Sequence, residues 1–520
     1  MKSCVVRRRF YPSEFTAGSA VTIDLYPGFG IPKACIINYV EHNAIQPDTF
    51  DTTLQFRNVG IAFIGSTDSA SSSTLTNRYV DAIMMDGLAA NGTTVVRRNN
   101  NSNRIFQTTN TAGALFFSTS TPVFTTDRFT LNTITGTVQT GSYLDSIMTF
   151  FGGDDLTVAV GNTGLPSGAS GTINYSALSF QPDVVIIASA FVAAGANATD
   201  DFRLGYGAAT RLPLKQSCIY YHNDTPVATN STLGSMFSNT SIAWYTTALN
   251  LGPYPFTIGS FTTGGWTLTG GAANPTTGTL IDYEFLAMKS STPTDWALVD
   301  LTTSPAIGDS FVGTGSSGFV PRVVLGAGIN TSITNTTYNQ SSPEVDCFSM
   351  FAGERTADKT YFNGTGTIQT NTAGTLVTGT GTAFFRLYPT DKLYQTNGTL
   401  IGTVSDVGTG VSLTLTANAA STLAAGTSFV YSNAGQYCIT YGARDATATT
   451  DVYSSMSNSL YKIVSNSAGT ATTAIFGNMR DFDTRPGFGI TYSTVTATPR
   501  LAWALCCKDP NNNRRRGRIS

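Results

Sequence analysis

The chain has 520 residues, 41% hydrophobic and only 12% charged, with 51 glycines, 31 Phe, 22 Tyr and a net charge of −2. This excludes a coiled coil, which needs abundant Ala, Glu, Lys, Leu and Arg, and intrinsic disorder, because apolar residues recur in short dense runs. The near-neutral balance argues against broad electrostatic binding to nucleic acid, and no apolar stretch reaches the roughly 20 residues of a membrane helix.

In chain order, the first feature is Met1-Lys-Ser-Cys-Val-Val-Arg7-Arg8-Arg9, charged but without the apolar core of a secretory signal. Residues 1–14 read as an N-terminal arm. A Phe, a Pro and a buried apolar run then mark the start of a module: Phe29-Gly-Ile-Pro32 before Ala34–Val40. The same marker returns as Phe180-Gln-Pro182 before Val184–Ala188 and as Phe319-Val-Pro321 before Val323–Gly326. Proline can open a strand because its missing N–H then costs no ladder hydrogen bond.

Further segments repeat in the same order. Asn58–Gly65, Asp201–Gly207 and Asp346–Gly353 alternate like half-buried strands ending at Gly, followed by runs beginning at Tyr79, Gln216 and Gln436. Aromatic alternating strands come next, at Asp127, Gly265 and Gly487, and buried runs close each copy, from Tyr143, Tyr283 and Leu501. Five features in one order define a triplicated all-β chain of β-sandwich or jelly-roll-like modules, at 15–165, 166–305 and 306–359 plus 433–508. Three such sandwiches can pack about a pseudo-threefold axis.

The third module is interrupted by residues 360–432, whose period-two strands and tight turns predict a small β-domain inserted through an exposed loop. Residues 509–520 form a basic C-terminal arm carrying Arg514, Arg515, Arg516 and Arg518.

The insert runs Thr378-Gly-Thr-Gly-Thr-Ala-Phe384, Asp391-Lys-Leu-Tyr394, Gly398-Thr-Leu-Ile-Gly-Thr-Val404 and Ser412-Leu-Thr-Leu-Thr416. This order resembles small β-domains of tailed-bacteriophage virion structural proteins, over about a seventh of the chain. The resemblance implies a non-enzymatic, tail-associated component (fibre, spike, nozzle or baseplate periphery) located in the virion. The expected partners are other virion proteins, further copies of the chain, and a host-surface glycan or protein. A capsid decoration protein and a carbohydrate-binding or depolymerising tailspike are the alternatives. Tyr388, Tyr394 and Tyr431 of the insert, with the four C-terminal arginines, are the candidate interaction residues.

Chemical motifs point elsewhere than to catalysis. The two histidines, His42 and His222, lie near the ends of apolar strands, where a structural role is the plain reading. Gly313-Thr-Gly-Ser-Ser-Gly318 matches a dinucleotide fingerprint in spelling, but a strand start follows it where the pyrophosphate site needs a helix. Asp154-Asp155 and Asp200-Asp201 lack the spacing of a calcium loop. The seven cysteines, Cys4, Cys35, Cys218, Cys347, Cys438, Cys506 and Cys507, contain no Cys-x-x-Cys pair, and most sit in apolar runs. Buried free thiols in a reducing compartment are expected. No catalytic, metal or cofactor residues are assigned. Neither nucleic-acid binding nor membrane insertion is expected. The Asn-x-Ser/Thr sequons at Asn91, Asn197, Asn230, Asn335 and Asn397 follow from composition.

Overall fold

The computed structural model describes the chain except residues 11–17, 19, 27, 43–55, 66–76, 87–94, 101–103, 110–114, 121, 132–133, 137–142, 166–170, 192–196, 199–200, 225–232, 248–250, 272–281, 333, 336–337, 341–344, 356–361, 383, 385–386, 388–390, 433–434, 445–450, 467–470, 481–485 and 509–520. Among the described residues helix is confined to single short turns, such as Pro293–Asp295 and Gly315–Ser317.

Three large antiparallel sheets share one strand order: an opening strand at the edge, the closing strand of the module beside it, then four strands in sequence. In the first sheet these are Lys2–Phe10, Tyr143–Gly152, Pro32–His42, Phe56–Gly65, Asn77–Asp86 and Val95–Asn100. In the second they are Thr157–Gly164, Asp282–Lys289, Val184–Ser189, Asp201–Thr210, Lys215–Asp224 and Leu233–Ser238. In the third they are Trp296–Thr302, Leu501–Lys508, Pro321–Ile329, Val345–Glu354, Gln436–Arg444 and Asp451–Ser457. A smaller sheet covers each one, centred on Arg128–Leu131, Gly265–Gly270 and Gly487–Thr494. The repeated sequence segments therefore occupy matching strands, and the architecture is three β-sandwich modules with a small β-domain inserted in the third.

Among the described residues the central strands of each large sheet are buried on both faces, which is why they read as continuous apolar runs. Along Pro32–His42, Ala34, Ile36 and Val40 enter a central core, while Cys35, Ile37 and Tyr39 enter the first module's outer core. Val184, Ile186 and Ala188 face the same central core, as do Val323, Leu325, Ala327 and Ile329. Val185 and Ile187 face the second outer core, and Val324 the third. Residues of all three modules thus meet in one central cluster. Phe29, Phe180 and Phe319 are buried in the three respective outer cores. Pro32 and Pro321 open their strands, and Pro182 lies just before Val184.

The strand pairing shifts the module boundaries. Lys2–Phe10 is a buried strand of the first sheet, paired in register from Lys2↔Gly152 to Phe10↔Leu144, and not an arm. Its three arginines are buried: Arg9 donates to both carboxylate oxygens of Asp145, at 2.9 and 2.7 Å. An arginine run reads as solvated until its acid, 136 residues away, is placed beside it. Thr157–Gly164 belongs to the second sheet and Trp296–Thr302 to the third, because each closing strand turns directly into the next module's opening strand. Gly313–Gly318 is the turn between the strands Gly308–Gly313 and Pro321–Ile329, closed by Thr314 Oγ1 donating to Phe319 O at 2.8 Å. All seven cysteines are free and buried.

Candidate interaction surfaces

The insert curls eight strands into one sheet, in the order Phe362–Asn363, Phe429–Ser432, Lys392–Gln395, Leu400–Thr409, Ser412–Leu415, Leu376–Thr380, Thr367–Thr370 and Leu423–Thr427. Period-two alternation gives it a core of its own, built from Ile368, Val377, Phe384, Leu393, Ile401, Val404, Leu413, Leu415 and Phe429 among others. The intervening positions face out and carry hydroxyls and amides. Gln369 pairs with Thr378, and Thr378 with Ser412, whose Oγ lies 2.8 Å from Thr409 Oγ1. Leu376 and Val411 stand among them, 53% and 50% exposed.

The two ends of the insert meet where it leaves the body. Phe362 pairs with Tyr431 and Asn363 with Val430. At the body itself, the Glu354 N–H donates to Gly435 O at 2.5 Å. Glu354 is buried, and its carboxylate holds Arg322 at 3.2 Å and accepts the Val5 N–H at 3.2 Å. The Arg355 N–H donates to Arg322 O at 2.8 Å. This neck joins the insert, the third module and the opening strand of the first.

The expected interaction residues fare unevenly. Tyr394 and Tyr431 are half-buried, and Tyr431 packs against the insert's own core, so most of that ring serves the fold. Tyr388 and Arg514, Arg515, Arg516 and Arg518 lie outside the described residues. Arg322 and Glu354 were missed by sequence reasoning, yet a signal existed: each marker proline is followed within one residue by a charged side chain, Lys33, Asp183 or Arg322. All three side chains brace their surroundings. Lys33 Nζ donates to Leu156 O at 2.7 Å, and Asp183 accepts from Arg211 NH2 at 2.6 Å and from Ser290 N at 2.9 Å. Arg322 Nε donates to Ser3 O at 2.9 Å.

His222 is buried in the second module beside Tyr220, with ring centroids 5.6 Å apart, and opposite Arg203 in register. Arg203 in turn donates to the Tyr245 hydroxyl at 2.8 Å. His42 ends its strand opposite Tyr143. Asp154 and Asp155 lie on an exposed turn, Asp201 begins a strand, and Asp200 is outside the described residues. Among the described residues no three His, Cys, Asp or Glu side chains converge as a metal site would require. No helix among them is long and apolar enough to cross a membrane.

No protein-family model matches the chain, and no curated protein matches it. Among solved structures, domains LG4-5 of the mouse laminin alpha1 chain align with 55% of this chain and 90% of that one, at 10% identity and a TM-score of 0.11. A score that low carries no argument.

Proposed function

We propose that this chain is a non-enzymatic structural component of a bacteriophage particle, tail-associated, with the inserted domain serving assembly and host attachment. One observation carries the reading: the insert has a core separate from the body and leaves it through two adjacent crossings at Glu354 and Gly435. Insertions on a rigid scaffold are where binding concentrates. The likeness of the insert's text to virion β-domains gives the particle class, and its outward hydroxyls, amides and exposed Leu376 and Val411 suit contact with a neighbouring protein or a glycan.

The test removes residues 362–432 and joins the ends by a short Gly-Ser turn. The expected result is a folded three-module body whose particles assemble poorly or fail to adsorb. Particles that assemble and adsorb normally without the insert would overturn the assignment. Antibody labelling of particles separates a tail position from capsid decoration, since decoration proteins cover the shell. Release of saccharide from host polysaccharide by the purified chain would favour a depolymerising spike.

A further inference from the structure

We propose that Asn397 is a self-modification site: in the folded chain the Gly398 nitrogen closes on the Asn397 side chain and turns its amide into a carboxylate. This goes beyond the function proposed above and does not depend on what the insert binds.

The step needs no reagent besides water. The Gly398 nitrogen bonds to Cγ of Asn397 and gives its proton to solvent base. The Cγ–Nδ2 bond breaks, and that nitrogen takes up a proton and leaves as ammonia. Water then opens the five-membered imide at either carbonyl, giving aspartate, or isoaspartate with its main chain routed through the side-chain carbon. Either product puts a negative charge on the insert. The attack requires a backbone nitrogen that can approach unhindered, which favours glycine as the following residue.

The sequence spells Asn-Gly-Thr at Asn91, Asn363 and Asn397. Asn91 lies outside the described residues, and the fold treats the other two in opposite ways. Asn397 and Gly398 form the tip between the strands Lys392–Gln395 and Leu400–Thr409, and residues 396–400 are all exposed. The Gln395 N–H donates to Thr399 O at 2.8 Å and the Gly398 N–H to Gln395 O at 2.9 Å. Gly398 closes the tip in the left-handed region, at φ +87°. A Cβ at Gly398 would meet nothing within 4 Å, so the space beside the attacking nitrogen is open. The Thr399 N–H donates to Asn397 Oδ1 at 3.0 Å. It therefore stands at the oxygen that gains negative charge during the attack, where a fixed donor lowers the barrier.

Asn363 has the same following residues and none of this room. It pairs with Val430 in the neck, and the Gly364 N–H donates to Phe429 O at 2.9 Å. The Phe429 ring stands where a Cβ of Gly364 would be. Ring closure at Asn363 requires the neck strands to part. At the hairpin tip it requires only the exposed bond from Gly398 to Gln395 to open, and local openings of that kind cost far less than unfolding.

Peptide mapping by mass spectrometry on the full chain tests this, after incubation at mildly alkaline pH in native buffer and in denaturant. In native buffer the Asn397 peptide should convert about tenfold or more faster than the Asn363 peptide, yielding both aspartate and isoaspartate. In denaturant the two peptides should convert at similar rates. Gly398→Asn keeps a residue that accepts the left-handed region but places a side chain beside the nitrogen, and should slow native conversion about tenfold. No conversion at Asn397 in native buffer, or equal native rates at Asn397 and Asn363, would overturn the site. Conversion to aspartate alone would overturn attack by the Gly398 nitrogen, as would an unchanged rate in Gly398→Asn. A gap between the two peptides that persists unchanged in denaturant would overturn the part assigned to the fold.

Discussion

Phe180 is 6% exposed and fills the second outer core at the place that Phe29 and Phe319 fill in theirs. Replacing it with Ala removes a buried ring where the surrounding sheets cannot collapse, so Phe180→Ala should lose about 3–5 kcal/mol in denaturant unfolding. An unchanged midpoint would remove the structural basis for equating the three markers. The thiols make a second prediction. Burial pushes the Cys4, Cys35, Cys218, Cys506 and Cys507 thiols well above their ordinary range. The thiolate is the reactive form, so a thiol reagent at pH 8 should leave the native chain unmodified and titrate all seven cysteines once it is unfolded. Burial likewise pushes the Tyr492 hydroxyl up to about 12, despite a backbone hydrogen bond from Ser304 that lowers it. A raised value means the folded state holds the proton more tightly. Its stabilising contribution is complete below the ordinary tyrosine range and is lost as pH rises through about 12. Melting temperature should therefore fall as pH rises from about 10 towards 12, and fall less in Tyr492→Phe, so an identical fall in that variant would contradict it.

At the level of elements, legibility followed burial symmetry. Strands buried on both faces, such as Val184–Ser189 and Pro321–Ile329, spell unbroken apolar runs, and their leading prolines mark where they begin. The insert's strands, such as Leu376–Thr380 and Ser412–Leu415, alternate because only one face is packed. Both patterns are local, so the sequence exposes them. Lys2–Phe10 is not legible in the same way. Arg7, Arg8 and Arg9 look like a solvated run, and only the fold brings Asp145 to Arg9 and Asn458 to Arg7. The boundary strands Thr157–Gly164 and Trp296–Thr302 are not legible for a related reason: sequence proximity to a closing strand does not reveal which sheet the next strand enters. Tyr431 has the type of a contact residue, but its place beside Leu393 in the register turns it toward the insert's core. The neck was invisible, since Glu354 reaches its partner Val5 across 349 residues.

The whole molecule has two kinds of cooperative unit. The three large sheets do not each close a private core on both sides: Val5, Ile36 and Phe63 of the first module share one cluster with Val184, Ile186 and Leu286 of the second and Leu325, Phe348 and Trp503 of the third. Trp503 Nε1 also donates to Tyr206 O across the second and third modules, at 3.2 Å. Removing one module would expose the central faces of the other two, so the modules should not melt one by one. The insert differs, because its apolar residues form their own cluster and its polypeptide connection is confined to the neck. Calorimetry of the full chain should show one large transition for the three-module body and one smaller transition for the insert. Deleting residues 362–432 should abolish the smaller transition and leave the larger one within a few degrees of its original midpoint. Three separable body transitions would show that the central cluster does not couple the modules. A single transition that collapses on deletion would make the insert part of the body's core.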